Sequence, residues 1–157
     1  DRHGKADKRI PHAEEIALML EKVYAPKGAL AEFEVDARSV FHGDKGDLME
    51  LMGNLLDNAF KWCGSRVLLT AEPLGLPKAR RPGLMLRVED DGPGIPEEQI
   101  NEVLKRGVRG DERVQGHGIG LSIIGDIVTS YGGELKVGRS TQLGGASFEV
   151  RLPPLGV

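Results

Sequence analysis

One cysteine in 157 residues, Cys63, excludes a disulfide framework and a thiolate metal cluster, and agrees with a reducing compartment. No apolar run approaches the roughly 20 residues that span a bilayer, and no signal peptide opens the chain. A basic excess is missing too: 21 Lys and Arg stand against 24 Asp and Glu, a net charge of −3 with both signs mixed along the length. Nucleic-acid modules carry clustered positive charge, so nucleic acid is not an expected partner. The one basic cluster, Lys78, Arg80 and Arg81 beside Pro77 and Pro82, reads as a solvated loop between strands. There is no GxxxxGK(S/T) stretch, which excludes a P-loop nucleotide site. A start at Asp1 is expected of a piece excised from a longer polypeptide, with any membrane segment upstream.

What is present fits one domain with a genuine core. Residues 1–10 are charged and aperiodic and read as a linker, leaving 11–157 as a single domain. A helix is expected from about His12 to Tyr24 and strands over Ala31–Val35 and Arg38–His42. Asp44 can cap a helix running to about Trp62, with Asp47 placed for the return bond of a capping box. Strands follow near Arg66–Glu72 and Leu84–Asp90. The stretch Gly92–Gly120 is rich in glycine and charge and poor in core residues. A periodic helix (Ile119–Tyr131) and two alternating strands (Glu134–Gly138, Ala146–Leu152) complete the chain. Helices interleaved with at least five short strands imply an α/β two-layer sandwich.

Three places break the pattern. On the helix 44–62, Glu50, Asn54, Asp57, Asn58 and Lys61 share one stripe at about 100° per residue, opposite Leu48, Leu51, Met52, Leu55 and Ala59. A solvated face explains that stripe as well as a ligand site does. Two asparagines four apart are nonetheless an odd choice for a plain helical surface, and amide oxygens with one lysine suit Mg²⁺ and phosphate. In the second place, strand alternation puts Asp90 in phase with Leu84, Leu86 and Val88, where a carboxylate needs a partner. Gly92 and Gly94 follow, permitting either a turn or close approach by a flat ligand. In the third, Gly116-His117-Gly118-Ile119-Gly120-Leu121 opens a helix, where free amides bind phosphate or simply form a flexible loop.

Taken in order, these segments resemble the boxes of the GHKL ATPase/kinase superfamily. Glu50–Trp62 (ELMGNLLDNAFKW) is similar to the N box of histidine kinases, Asp90–Ile95 (DDGPGI) to G1, Gly116–Leu121 (GHGIGL) to G2 and Gly144–Phe148 (GGASF) to G3. The wording around them resembles the PhoQ type of sensor kinase. The resemblance implies a Bergerat-type fold: a mixed, roughly five-stranded sheet with helices on one face and ATP between. It implies that Asp90 receives the adenine amino group, while Gly92, Gly94 and Ile95 shape the base pocket beside Trp62. Asn58, helped by Asn54, is implied to hold Mg²⁺, and Lys61 to reach a phosphate. Gly116, Gly118, Gly120 and Leu121 are implied to wrap the phosphates from a mobile lid whose cations include Arg106, Arg109, Arg113 and His117. Trp62 replaces the usual Tyr, and the paired phenylalanines of the F box are missing, Leu104 being the nearest apolar relic.

The resemblance also implies a reaction. Hydrolytic members of the superfamily carry a water-activating Glu four residues before the metal-binding Asn; here that position is Asn54, and an amide is no general base near neutral pH. Glu50 is a substitute base one turn further away. Transfer of the γ-phosphoryl group to a histidine is therefore expected over hydrolysis. An ATPase-type conformational module and a degenerate nucleotide-binding regulator are the alternatives. His3, His12 and His42 lack the H-E-x-x-x-P context, so the acceptor is expected on a separate phosphoacceptor and dimerisation domain, with a response regulator further on. This piece is expected to be a cytoplasmic monomer cut from a homodimeric inner-membrane sensor.

Overall fold

A computed structural model describes residues 13–76, 78, 80–109 and 118–154; nothing is described of the side chains of 13, 14, 106–109 and 118–120. The elements run α1 (Ala13–Val23), a 3-10 turn (Ala25–Lys27), β1 (Leu30–Val35), α2 (Lys45–Trp62), β2 (Arg66–Leu74) and β3 (Gly83–Asp90). Then come α3 (Glu97–Arg109), α4 (Gly118–Ser130), β4 (Glu134–Arg139) and β5 (Ala146–Leu152). The strands form one five-stranded sheet in the order β1-β2-β3-β5-β4. Only the β1–β2 pairing is parallel, with Leu30 opposite Arg66; the others are antiparallel. The two-layer expectation holds.

The period-two pattern of the strands decides which face the helices cover. Val67, Leu69, Ala71, Leu84, Leu86, Val88, Phe148 and Val150 join the core with Leu48, Leu51, Met52, Leu55, Leu56 and Phe60 of α2. Each large side chain so buried contributes about 1.5–3 kcal/mol. The opposite face holds charge. Arg87 pairs with Glu89 at 3.3 Å and with Glu149, its register partner on β5, at 3.2 Å; Arg151 pairs with Glu149 at 3.1 Å. Among the described residues, the helices pack on the apolar face. Central β3 delivers Asp90, its last residue, to the sheet edge beneath them.

One expectation needs correction, and one element was not foreseen. Arg38–His42 is not a strand. Asp36 Oδ1 accepts from the Arg38 amide at 2.8 Å and the Ser39 amide bonds the Asp36 carbonyl at 2.9 Å, so side-chain and backbone bonds turn the chain there. The glycine-rich stretch after Gly92 contains α3, started by Pro96, whose carbonyl takes the Gln99 amide at 2.8 Å, and by Glu97 and Glu98 in its first turn. Of its apolar residues Val103 is buried at 4 % exposure, and Leu104 less so. The linker 1–10 and His12 lie outside the described residues.

Candidate functional site

α2 supplies the first wall. Asp44 caps it, accepting the Asp47 amide at 3.1 Å. The return bond of a capping box runs instead through Tyr131, whose hydroxyl accepts from the Asp44 amide at 3.0 Å and donates to Asp47 Oδ2 at 2.7 Å. The stripe Glu50, Asn54, Asp57, Asn58, Lys61 is divided by the fold. Asn58 is buried and lines a cleft; Asp57 turns to Tyr24, taking its hydroxyl at 3.0 Å. Burial and that bond to Asp57 push the Tyr24 phenol up to about 12. Asn54 Nδ2 donates to the Glu50 carbonyl at 2.7 Å. Glu50 and Lys61 are exposed, and Lys61 Nζ lies 5.8 Å from the centroid of the Trp62 ring. Glu50, Asn54 and Lys61 do not line the cleft.

That cleft, about 230 Å³, is bounded by Asn58 and Trp62 from α2, Asp90, the Pro93–Pro96 loop, Gln99 and Val103 from α3, and Ala146 and Phe148 from β5. It brings together five of the residues singled out in the sequence: Asn58, Trp62, Asp90, Gly94 and Ile95. Gln99, Val103, Ala146 and Phe148 were not singled out, although Ala146 and Phe148 lie within the G3-like segment. Val103 lines the cleft, and Leu104, named as the nearest relic of the F box, does not.

Asp90 is 1 % exposed. Its Oδ1 accepts the Gly92 amide at 2.9 Å and the Ala146 amide at 3.2 Å, and its carbonyl takes the Gly145 amide at 3.0 Å. Burial pushes its carboxyl above the usual range, against the pull of those two amides on Oδ1. Both fall on one oxygen, so Oδ2 remains an acceptor for a ligand. The glycines around it are steric requirements. A Cβ at 92 would collide with the Trp62 carbonyl, and one at 145 with Asp90 Oδ1 and its carbonyl. Gly94 has φ +77°, a conformation that L side chains rarely adopt.

Asp91, passed over in the sequence, binds the turn after α2. Burial alone raises its carboxyl, but the amides of Arg66, Ser65 and Gly64 and the Ser65 hydroxyl outweigh that and hold it below the usual range. Leu121 is 1 % exposed in the core and supports the start of α4 without lining the cleft. Gly118 and Gly120 belong to the first turn of α4. Arg106 and Arg109 belong to α3 by backbone, their side chains lying outside the described residues, as do Arg113, Gly116 and His117. Among the described residues no group of three His, Cys, Asp or Glu converges to hold a metal.

A buried acceptor at the end of a largely apolar cleft, beside an amide-bearing helix face, can take a planar heterocycle that donates from an exocyclic amine. Comparison with known proteins identifies the family. Residues 43–156 match the family model described as histidine kinase-, DNA gyrase B-, and HSP90-like ATPase. The chain is similar to the two-component sensor PhoQ of Pseudomonas aeruginosa, 42% identical over 142 residues, 90% of this chain and 30% of that protein. It is also similar to the sensor protein kinase CarS of the same organism, 48% identical over 111 residues, 70% of this chain and 23% of that protein. In fold it resembles full-length ShkA solved in complex with AMPPNP, with a TM-score of 0.73, 24% identity, and coverage of 94% of this chain and 30% of that one. The chain thus spans under a third of the length of the curated relatives it matches.

Proposed function

The chain belongs to the histidine kinase-, DNA gyrase B-, and HSP90-like ATPase family, and from that membership we propose that it binds Mg·ATP and presents the γ-phosphate to a histidine on a separate domain of a sensor kinase. The observation that carries the reading is Asp90: a carboxylate 1 % exposed, tied by two amides on one oxygen, at the head of a cleft that Asn58 and Trp62 also line. Such an acceptor suits the amino group of adenine and repels the carbonyl oxygen of guanine. Val103, Phe148 and Ile95 supply apolar surface for the base, and Trp62 a flat face.

The donor set suits a hydrated Mg²⁺. That ion takes few protein ligands and completes its shell with water and phosphate, so Asn58, and Asn54 through its amide oxygen, would hold it without a carboxylate cluster. Bound there with ATP, it neutralises phosphate charge. The start of α4 at Gly118 and Gly120 supports phosphate binding through free amides, with Gly116, His117, Arg106, Arg109 and Arg113 proposed to close over it. Lys61, exposed above Trp62, is proposed to swing toward the phosphates. Asn54 activates no water, so the nucleophile comes from outside: an imidazole on a phosphoacceptor and dimerisation domain, the phosphate passing on to a response regulator. The parent is proposed to be a homodimeric inner-membrane sensor, which residues 1–10 join to domain 11–157; among the described residues no helix is long and apolar enough to cross a membrane.

Calorimetric titration of ATP with and without Mg²⁺, beside an assay for released phosphate, tests this reading. Mg²⁺-dependent binding with a dissociation constant on the order of micromolar, about −8 kcal/mol, and negligible turnover is expected. Steady phosphate release would put the hydrolytic module first, and no binding would leave a degenerate regulator.

A further inference from the structure

Residues 60–66 carry α2 into β2, and two charged side chains outside the cleft grip this turn from opposite sides. Lys27, ending the 3-10 turn after α1, donates from Nζ to the carbonyls of Phe60 at 3.0 Å, Lys61 at 2.6 Å and Cys63 at 2.9 Å. Asp91 Oδ1 accepts from the amides of Gly64 at 2.9 Å, Ser65 at 3.0 Å and Arg66 at 2.9 Å, and its Oδ2 takes the Ser65 hydroxyl at 3.1 Å. A cation thus meets the carbonyls that end a helix, and an anion meets the free amides that follow, each charge matched to the partial charge it holds.

Trp62 lies inside this turn. It lines the cleft, and its carbonyl packs so closely on Gly92 that a Cβ there would collide with it. The distance between the Trp62 wall and Asp90 is therefore set by how the turn is held. We propose that Lys27 and Asp91 are positioning residues for the nucleotide, a clamp that fixes Trp62 against the Asp90 strand end; the proposal rests on the ATP-binding reading above. Because Lys27 ends the 3-10 turn that follows α1, the same clamp ties the end of α1 to the wall of the nucleotide cleft.

Trp62 is the one tryptophan of the chain, so its emission reports this wall directly. The variants are D91A, D91N, K27M and, as a core-weakened control remote from the turn, L135A on β4. Each is studied at a temperature where circular dichroism finds it folded. Asn at 91 keeps a carbonyl oxygen for the three amides but gives up the charge, whereas Ala keeps neither. Without nucleotide, Trp62 emission is expected to shift in D91A and K27M, to shift less in D91N, and to stay at the wild-type position in L135A. Affinity for a non-hydrolysable ATP analogue is expected to fall about tenfold in D91A and about threefold in K27M and D91N, with less than about twofold change in L135A. Wild-type emission and affinity in both D91A and K27M would overturn the clamp. Equal weakening in L135A would too, by reducing the effect to lost stability. A change in D91A alone would overturn the part assigned to Lys27, and a D91N that behaves as D91A would overturn the hydrogen-bond basis. A wild-type protein that fails to bind ATP sinks the ATP reading instead, since the nucleotide-free emission still tests the clamp.

Discussion

Asp90 and Asp91 are neighbours in sequence and opposites in chemistry. Burial raises the Asp90 carboxyl, so the folded state holds its proton more tightly than the unfolded chain does. The stability it contributes is present at low pH and falls as pH rises from the ordinary carboxylate range through the raised value. Asp91 is held low by its amides, so its contribution is present above the ordinary range and is lost as pH falls through the lowered value. Replacing Asp90 by Asn keeps an oxygen for the Gly92 and Ala146 amides and removes the buried charge. The D90N domain without nucleotide should therefore melt at or above the wild-type temperature at pH 7, and lose less stability between acid and neutral pH. Its ATP affinity should drop about 10–100-fold, the range for losing a hydrogen bond to a charged acceptor. Thermal melts across pH and a binding titration check both halves; a destabilised D90N with unchanged affinity would contradict them. Asp90 was legible because strand phase set it among Leu84, Leu86 and Val88. Asp91 was not: its partners are main-chain amides 25–27 residues away, and amides carry no signature in a sequence.

Elements were legible where their apolar period was strong and missed where it was thin. α2, with Leu48, Leu51, Leu55 and Ala59 on one side, was found with its Asp44 cap; α3, of whose described side chains only Val103 is buried, was not. The loop 36–43 turns on the Asp36 side chain and carbonyl, and residues 60–66 owe their shape to Lys27 and Asp91, contacts between distant segments that local pattern cannot reveal. Tyr131 illustrates this. It follows the last residue of α4 and bonds the start of α2, while its ring meets Phe41 edge-on at 5.4 Å. One hydroxyl thus joins the helix proposed to begin at the phosphates to the helix carrying Asn58. Tyr131→Phe keeps the ring and removes both bonds, and should cost about 1–2 kcal/mol in urea unfolding with an unchanged m-value. A loss below a few tenths of a kcal/mol would mean that water replaces the hydroxyl at no cost.

At the scale of the molecule, one sheet does two jobs by using its two faces differently. The apolar face buries α1, α2 and α4, and the other face is laced by Arg87, Glu89, Glu149 and Arg151 and carries no helix among the described residues. Only the helical side can enclose a ligand, and the central strand ends there. The order of the boxes along the chain was enough to foresee this arrangement, because each motif sits at an element end: Asn58 and Trp62 near the close of α2, Asp90 at the close of β3, Gly118 at the start of α4. The part that sequence could not supply is how the cleft is lined, since Gln99, Val103 and Phe148 become neighbours only through packing.

The account stands or falls on where the γ-phosphate goes. The direct measurement is to incubate the domain with γ-labelled ATP and Mg²⁺, with and without the separately produced phosphoacceptor domain of a PhoQ-type kinase, and to follow label on protein and in free phosphate. Label that appears on the added domain, stable to base and lost in acid as a phosphohistidine is, with little free phosphate in either mixture, is the predicted result. Free phosphate accumulating at the same rate whether or not that domain is present would contradict it, because water would then be the nucleophile that Asn54 is argued not to activate.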